Sequence, residues 1–125
     1  METADNQRTI LVVEDEALIR MAVVGLLEDA GYHVMEAANS VEALSLLATN
    51  SQISILLTDV DMPGRMDGLG LVGQVRRERP SIRSIVVSGS ASAKDAISAG
   101  AAAFVPKLYL ANAIVGAVFE TLQAA

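Results

Sequence analysis

Apolar and polar positions fall in blocks along this chain, and each block carries the signature of one secondary-structure element. Thr9-Ile10-Leu11-Val12-Val13 is a continuous apolar run ending in Glu14-Asp15-Glu16, as a strand buried on both faces should be. From Glu16 to Ala30, the residues Ile19, Ala22, Val23, Leu26 and Ala30 recur at helical spacing, and Gly31 is a natural stop. Tyr32 to Glu36 reads as a short strand. Asn39 or Ser40 then caps a helix carrying Val41, Leu44, Leu47 and Ala48. Ile53-Ser54-Ile55-Leu56-Leu57 is again short, apolar and β-branched. It delivers Thr58-Asp59-Val60-Asp61-Met62-Pro63 and is stopped by Pro63-Gly64.

Asp67-Gly68 opens a third helix through Leu69, Leu71, Val72, Val75 and Arg76, which ends before Pro80. Ile82 to Val87 is a fourth strand, leading into Ser88-Gly89-Ser90. A short Ala-rich helix from Ser92 to Ala99 stops at Gly100; Ala103-Phe104-Val105 is a fifth strand before Pro106-Lys107; a last helix spans Leu110 to Leu122. Strand and helix alternate five times without repeats or linkers. With right-handed crossovers this predicts an α/β fold, a five-stranded parallel sheet with helices on both faces. Residues 1–7 are polar and aperiodic and are expected to fray; residues 8–125 form one domain.

Composition narrows the function classes. Hydrophobic residues make up 52% of the 125 but aromatics only 3%, so aliphatic side chains must fill the core. A net charge of −6 argues against general nucleic-acid binding. Zero cysteines exclude disulfides and thiolate metal sites. No apolar run approaches the ~18 residues of a membrane span, and no signal-peptide pattern opens the chain. A soluble cytoplasmic domain is the expectation.

Polar groups stand at the ends of four strands: Glu14 and Asp15 after the first, Asp59 after the third, Ser88 after the fourth and Lys107 after the fifth. In a parallel sheet all of these reach one edge, where ligand sites lie. Crowded carboxylates need a cation, and oxygen ligands without nearby His or Cys suit Mg²⁺. Carboxylate, Mg²⁺, ammonium and hydroxyl are together what phosphoryl transfer to a carboxylate requires.

These pieces resemble the receiver domain of response regulators, the phosphoacceptor half of bacterial two-component signalling. The resemblance covers residues 8–123 and rests on Val12-Val13-Glu14-Asp15-Glu16, Thr58-Asp59-Val60-Asp61-Met62-Pro63, Met66-Asp67-Gly68, Val87-Ser88-Gly89 and Phe104-Val105-Pro106-Lys107. It implies a flavodoxin-like fold with Asp59 as the phosphoacceptor. Mg²⁺ would be held by Asp15, Asp59 and the main-chain carbonyl of Asp61, with Glu14 behind them or acting through water. Ser88 and Lys107 would bind the phosphoryl group, and Phe104 would change rotamer in the switch. The donor would be a sensor histidine kinase or a histidine phosphotransfer protein. Self-phosphorylation and self-dephosphorylation would be limited, so the chain is not an enzyme in the usual sense. With no output segment after the last helix, it would signal through an unidentified downstream protein or pass the group to another carrier.

Several positions depart from the family pattern. Gly64-Arg65 lengthens the turn after Pro63 by one residue, and the segment between Ser88 and Phe104 is short by nearly a helical turn. Leu108 follows Lys107 where the family usually has Pro, so a trans peptide is expected there. The last helix is charged only at Glu120: Ala111, Ile114, Val115, Val118 and Leu122 form a core stripe that Leu110, Ala113, Ala117 and Phe119 widen. Such a face suits a partner or a homodimer.

Plainer readings apply elsewhere. His33 is a surface strand residue, and Arg76-Arg77-Glu78-Arg79 a solvated helix end matched to the macrodipole. Two rival functions stand beside the phosphoacceptor. One is an unphosphorylated interaction or dimerisation module on the same fold. The other is a phosphatase, because Asp59-Val60-Asp61 resembles the nucleophile and acid pair of haloacid-dehalogenase-type enzymes, although these need a longer chain with a cap.

Overall fold

Among the described residues, five strands and five helices alternate strictly. The computed structural model describes residues 8–89, 91–107 and 111–124. The strands are β1 (Thr9–Val13), β2 (His33–Ala37), β3 (Ile53–Asp59), β4 (Arg83–Ser88) and β5 (Ala103–Pro106). The helices are α1 (Ala17–Asp29), α2 (Ser40–Thr49), α3 (Gly68–Glu78), α4 (Ala93–Ala99) and α5 (Ala111–Gln123). All strands run parallel in the order β2-β1-β3-β4-β5. The order reverses between β1 and β3, which opens a crevice at their carboxyl ends.

Local chemistry sets the boundaries. Asn39 caps α2 by accepting from the Glu42 N–H, Asp67 caps α3 by accepting from the Gly70 N–H, and Ser92 with Asp95 forms a reciprocal capping box on α4. Gly100 ends α4 at φ +111°, a conformation a side chain rarely adopts, and a Cβ there would lie 2.5 Å from Arg76 Cδ.

Alternation along the buried strands splits the core into two layers. Leu11, Val13, Leu56 and Val86 face α2, α3 and α4, against Leu47, Leu71, Val72 and Ala96. Ile10, Val12, Ile55, Leu57 and Ile85 face α1 and α5, against Val24, Leu27, Ile114 and Val118. The expected sheet with helices on both faces is thus the one observed.

Helix facing is where structure and pattern part. In α1 the buried residues are Val23, Val24 and Leu27, while Ala22 and Ala30 are exposed. The helix is apolar nearly all round, so spacing alone does not select a face, and the larger side chains take the core. In α2, Val41 and Ala48 lie outward while Ala43 and Leu47 are buried, because Ser40 turns inward to donate to the Met66 carbonyl at 3.0 Å. Along α5, Ile114 and Val118 are buried, Val115, Ala117 and Leu122 half-buried, and Phe119 is 56% exposed. His33, Arg76 and Arg77 are on the surface as expected. The tail 1–7, Ser90, the Lys107–Leu108 peptide, Leu110 and the side chains of Ala111 and Ala113 lie outside the described residues.

Candidate functional site

The crevice between β1 and β3 brings Glu14, Asp15, Asp59 and Lys107 together. Parallel register places Val13 beside Thr58, Asp59 beside Val87, and Ser88 beside Pro106, so four chain segments finish at one level. Asp59, the last residue of β3, is 4% exposed. Its Oδ1 accepts from the Val60 N–H at 2.7 Å, and its Oδ2 accepts from Lys107 Nζ at 2.9 Å. Lys107 also reaches Glu14 Oε1 at 3.2 Å, so one ammonium bridges two strand ends.

Glu14, Asp15 and Asp59 each offer a carboxylate oxygen within 4.8 Å of the others. Glu14 is buried and has both oxygens engaged: Oε1 by Lys107 and Oε2 by the Glu16 N–H at 3.1 Å. Asp15 is exposed, so its carboxylate stands at the mouth. Burial pushes the Glu14 carboxyl above its ordinary value and the Asp59 charge adds to the push, while the Glu16 N–H and Lys107 oppose it. Burial works against the Lys107 charge, but the Asp59 and Glu14 carboxylates outweigh it and raise the ammonium's pKa.

Three carboxylates therefore face one ammonium. The set is all oxygen and carries an excess of negative charge that a divalent cation would balance, which fits Mg²⁺. Asp61 is exposed on the loop after β3.

Ser88 ends β4 with 2% exposure; its Oγ accepts from the Ala91 N–H at 3.0 Å, and its carbonyl accepts from the Lys107 N–H at 2.9 Å. It thus connects the crevice to the approach to α4 and to Lys107. Phe104, half-buried on β5, packs against the core layer of α2–α4.

Residues to which sequence reasoning gave no role also shape the site. Arg20 donates from Nη1 to the Glu14 carbonyl at 2.7 Å and from Nε to Glu36 at 3.1 Å, tying the acidic turn to β2. The only signal for it was a cation one helical turn after Glu16. Thr58 and Gly68 press on the main chain of Asp59. Beside the loop after β3, Val41, Leu44, Pro63, Arg65 and Met66 line an open recess of about 680 Å³.

The comparisons agree with this geometry. The family profile of the response regulator receiver domain matches residues 10–119. The chain is 39% identical over 119 residues to the sensor kinase CckA of Brucella abortus, covering 92% of this chain but only 12% of that kinase. It is 36% identical over 104 residues to a chemotaxis protein CheY homologue of Campylobacter jejuni, covering 78% of this chain and 79% of the homologue. Among solved structures, a CheY-like receiver domain of Methanospirillum hungatei superimposes with a TM-score of 0.86 at 28% identity, covering 94% of each chain.

Proposed function

We propose that this chain, which belongs to the response regulator receiver domain family, accepts a phosphoryl group on Asp59 and signals by changed protein contacts. Receiver domains of this family are signalling phosphoacceptors of two-component systems rather than enzymes of metabolism. The observation that carries the reading for Asp59 is its position: a buried carboxylate at the end of the central strand, 2.9 Å from Lys107 and within the acidic cluster.

In this reading the donor is a phosphohistidine on a sensor histidine kinase or a phosphotransfer protein. One Asp59 carboxylate oxygen forms the new bond to phosphorus as the phosphorus–nitrogen bond breaks, and the electron pair leaves with the imidazole. Asp15, Asp59 and the Asp61 carbonyl would hold Mg²⁺, with Glu14 behind them. The metal, when bound, supplies positive charge to the transferring phosphoryl oxygens. Lys107 starts on Asp59 Oδ2 and would shift its ammonium to the phosphoryl oxygens.

The product adds about −1.5 to −2 charge and three acceptor oxygens. Ser88, whose Oγ accepts from the Ala91 N–H, would turn its hydroxyl to one of them and draw the approach to α4 inward. Phe104 on the neighbouring strand would follow. The downstream partner reads the moved surface, and a homodimer through α5 is one candidate output.

Beryllofluoride, which stands in for the phosphoryl group, tests the reading. Mg²⁺-dependent amide shifts at Asp59, Ser88 and Lys107, absent in Asp59→Asn, are expected. No response from the wild-type chain would sink the phosphoacceptor role and leave an interaction module on the same fold.

A further inference from the structure

The main-chain carbonyl of Asp59 is held from two sides. Thr58, fully buried, donates its hydroxyl to that oxygen at 2.8 Å. A buried hydroxyl must find a partner, and this one spends its bond on the acceptor residue's own peptide. From the other side Gly68 closes in: a Cβ built on it would lie 1.8 Å from the same oxygen and 2.9 Å from Val60 Cα. Every residue except glycine is excluded there unless the acceptor strand end moves. The Gly68 N–H also donates to the Val60 carbonyl at 2.9 Å, closing the loop 60–68.

The consequence runs through a single peptide plane. Its oxygen is the one that Thr58 and Gly68 confine, and planarity couples that oxygen's direction to the N–H at the other end. That N–H belongs to Val60 and donates to Asp59 Oδ1 at 2.7 Å. With Oδ1 anchored, Oδ2 is the oxygen turned to Lys107.

We infer that Thr58 and Gly68 are positioning residues for the acceptor: they hold the Asp59–Val60 peptide so that its N–H anchors one carboxylate oxygen and aims the other. The inference rests on Asp59 being the phosphoacceptor. Neither residue touches the reacting atoms. Their effect is on the orientation of the nucleophile, where small displacements cost large factors in rate.

Thr58→Val exchanges the hydroxyl for a methyl at nearly constant volume, and Thr58→Ser restores it. Two readouts separate positioning from simple stability: the Val60 amide proton shift without metal or phosphoryl analogue, and the rate of phosphorylation by acetyl phosphate at saturating Mg²⁺. Thr58→Val is expected to move the Val60 amide upfield and lower the maximal rate roughly tenfold, with Thr58→Ser recovering both. Val75→Ala, a core truncation in α3, should lose stability while sparing both readouts. Gly68→Ala should displace the Asp59 and Val60 amides further, and the Thr58 pair decides the matter even if that variant does not fold. The inference is overturned if Thr58→Val keeps the wild-type shift and rate, or if Val75→Ala slows the reaction equally for the same loss of stability. A wild-type chain that takes no phosphoryl group overturns the acceptor reading instead, while the amide shift still reports whether Thr58 holds the peptide.

Discussion

Lys107 Nζ lies 2.9 Å from Asp59 Oδ2 although 48 residues separate them in the chain. The pair is charge-assisted and mostly enclosed, with side-chain exposures of 26% and 4%. Removing the ammonium leaves Asp59 and Glu14 facing each other uncompensated. Lys107→Met is expected to lower stability by roughly 1–3 kcal/mol at neutral pH, the cost of a buried acceptor stripped of its partner. Lys107→Met combined with Asp59→Asn should regain most of it. Urea denaturation of the wild type and the two variants without metal measures both.

The pH dependence follows from the two raised pKa values. Glu14 binds its proton more tightly folded than unfolded, so its contribution to stability is present at acid pH and lost as pH rises through the raised value. Glu14→Gln should therefore be the more stable protein near pH 7 and lose that advantage toward about pH 4, where the wild-type carboxyl is protonated. Lys107 is also raised, so its stabilisation persists through neutral pH and is lost only on the alkaline side of the ordinary ammonium range. Thermal midpoints in chelator across this range give the comparison, and adding Mg²⁺ should raise the wild-type midpoint and narrow the gap.

Ser88 links the crevice to the segment before α4 through the Ala91 N–H. Ser88→Ala is expected to keep acceptance at Asp59, with a rate change under roughly tenfold, the scale of one hydrogen bond. The beryllofluoride-induced amide shifts at Ala91 and along α4 should shrink. Undiminished shifts would assign the coupling to Lys107 alone, through its N–H bond to the Ser88 carbonyl.

Phe119, exposed on α5, lines a recess with Arg8, Tyr32 and Leu122. If the output is a homodimer through this helix, beryllofluoride should double the apparent mass on a sizing column, and Phe119→Lys should abolish the change while sparing the shifts at Asp59. A constant wild-type mass would assign the face to a different protein.

Much of this protein was legible along the chain because buried parallel strands are written as short, mostly apolar runs that end in polar residues. Glu14, Asp15, Asp59, Ser88 and Lys107 could be named before any coordinate. The α4 boundaries follow equally directly, since Ser92 and Gly100 each carry the chemistry of a helix end.

What the linear pattern left open was decided by tertiary packing. Strand order sets β1 between β2 and β3, and that order brings Glu14 and Asp59 both within 3.2 Å of the Lys107 ammonium. The faces of α1 and α2 depended on which apolar side chains met the sheet, a choice that spacing cannot make when a helix is apolar nearly all round. The site roles of Thr58, Gly68 and Arg20 stayed silent for a related reason, although Thr58 and Gly68 belong to motifs that carry the resemblance. Each acts on a main-chain oxygen, at Asp59 or Glu14, and only the folded backbone gives that oxygen a position.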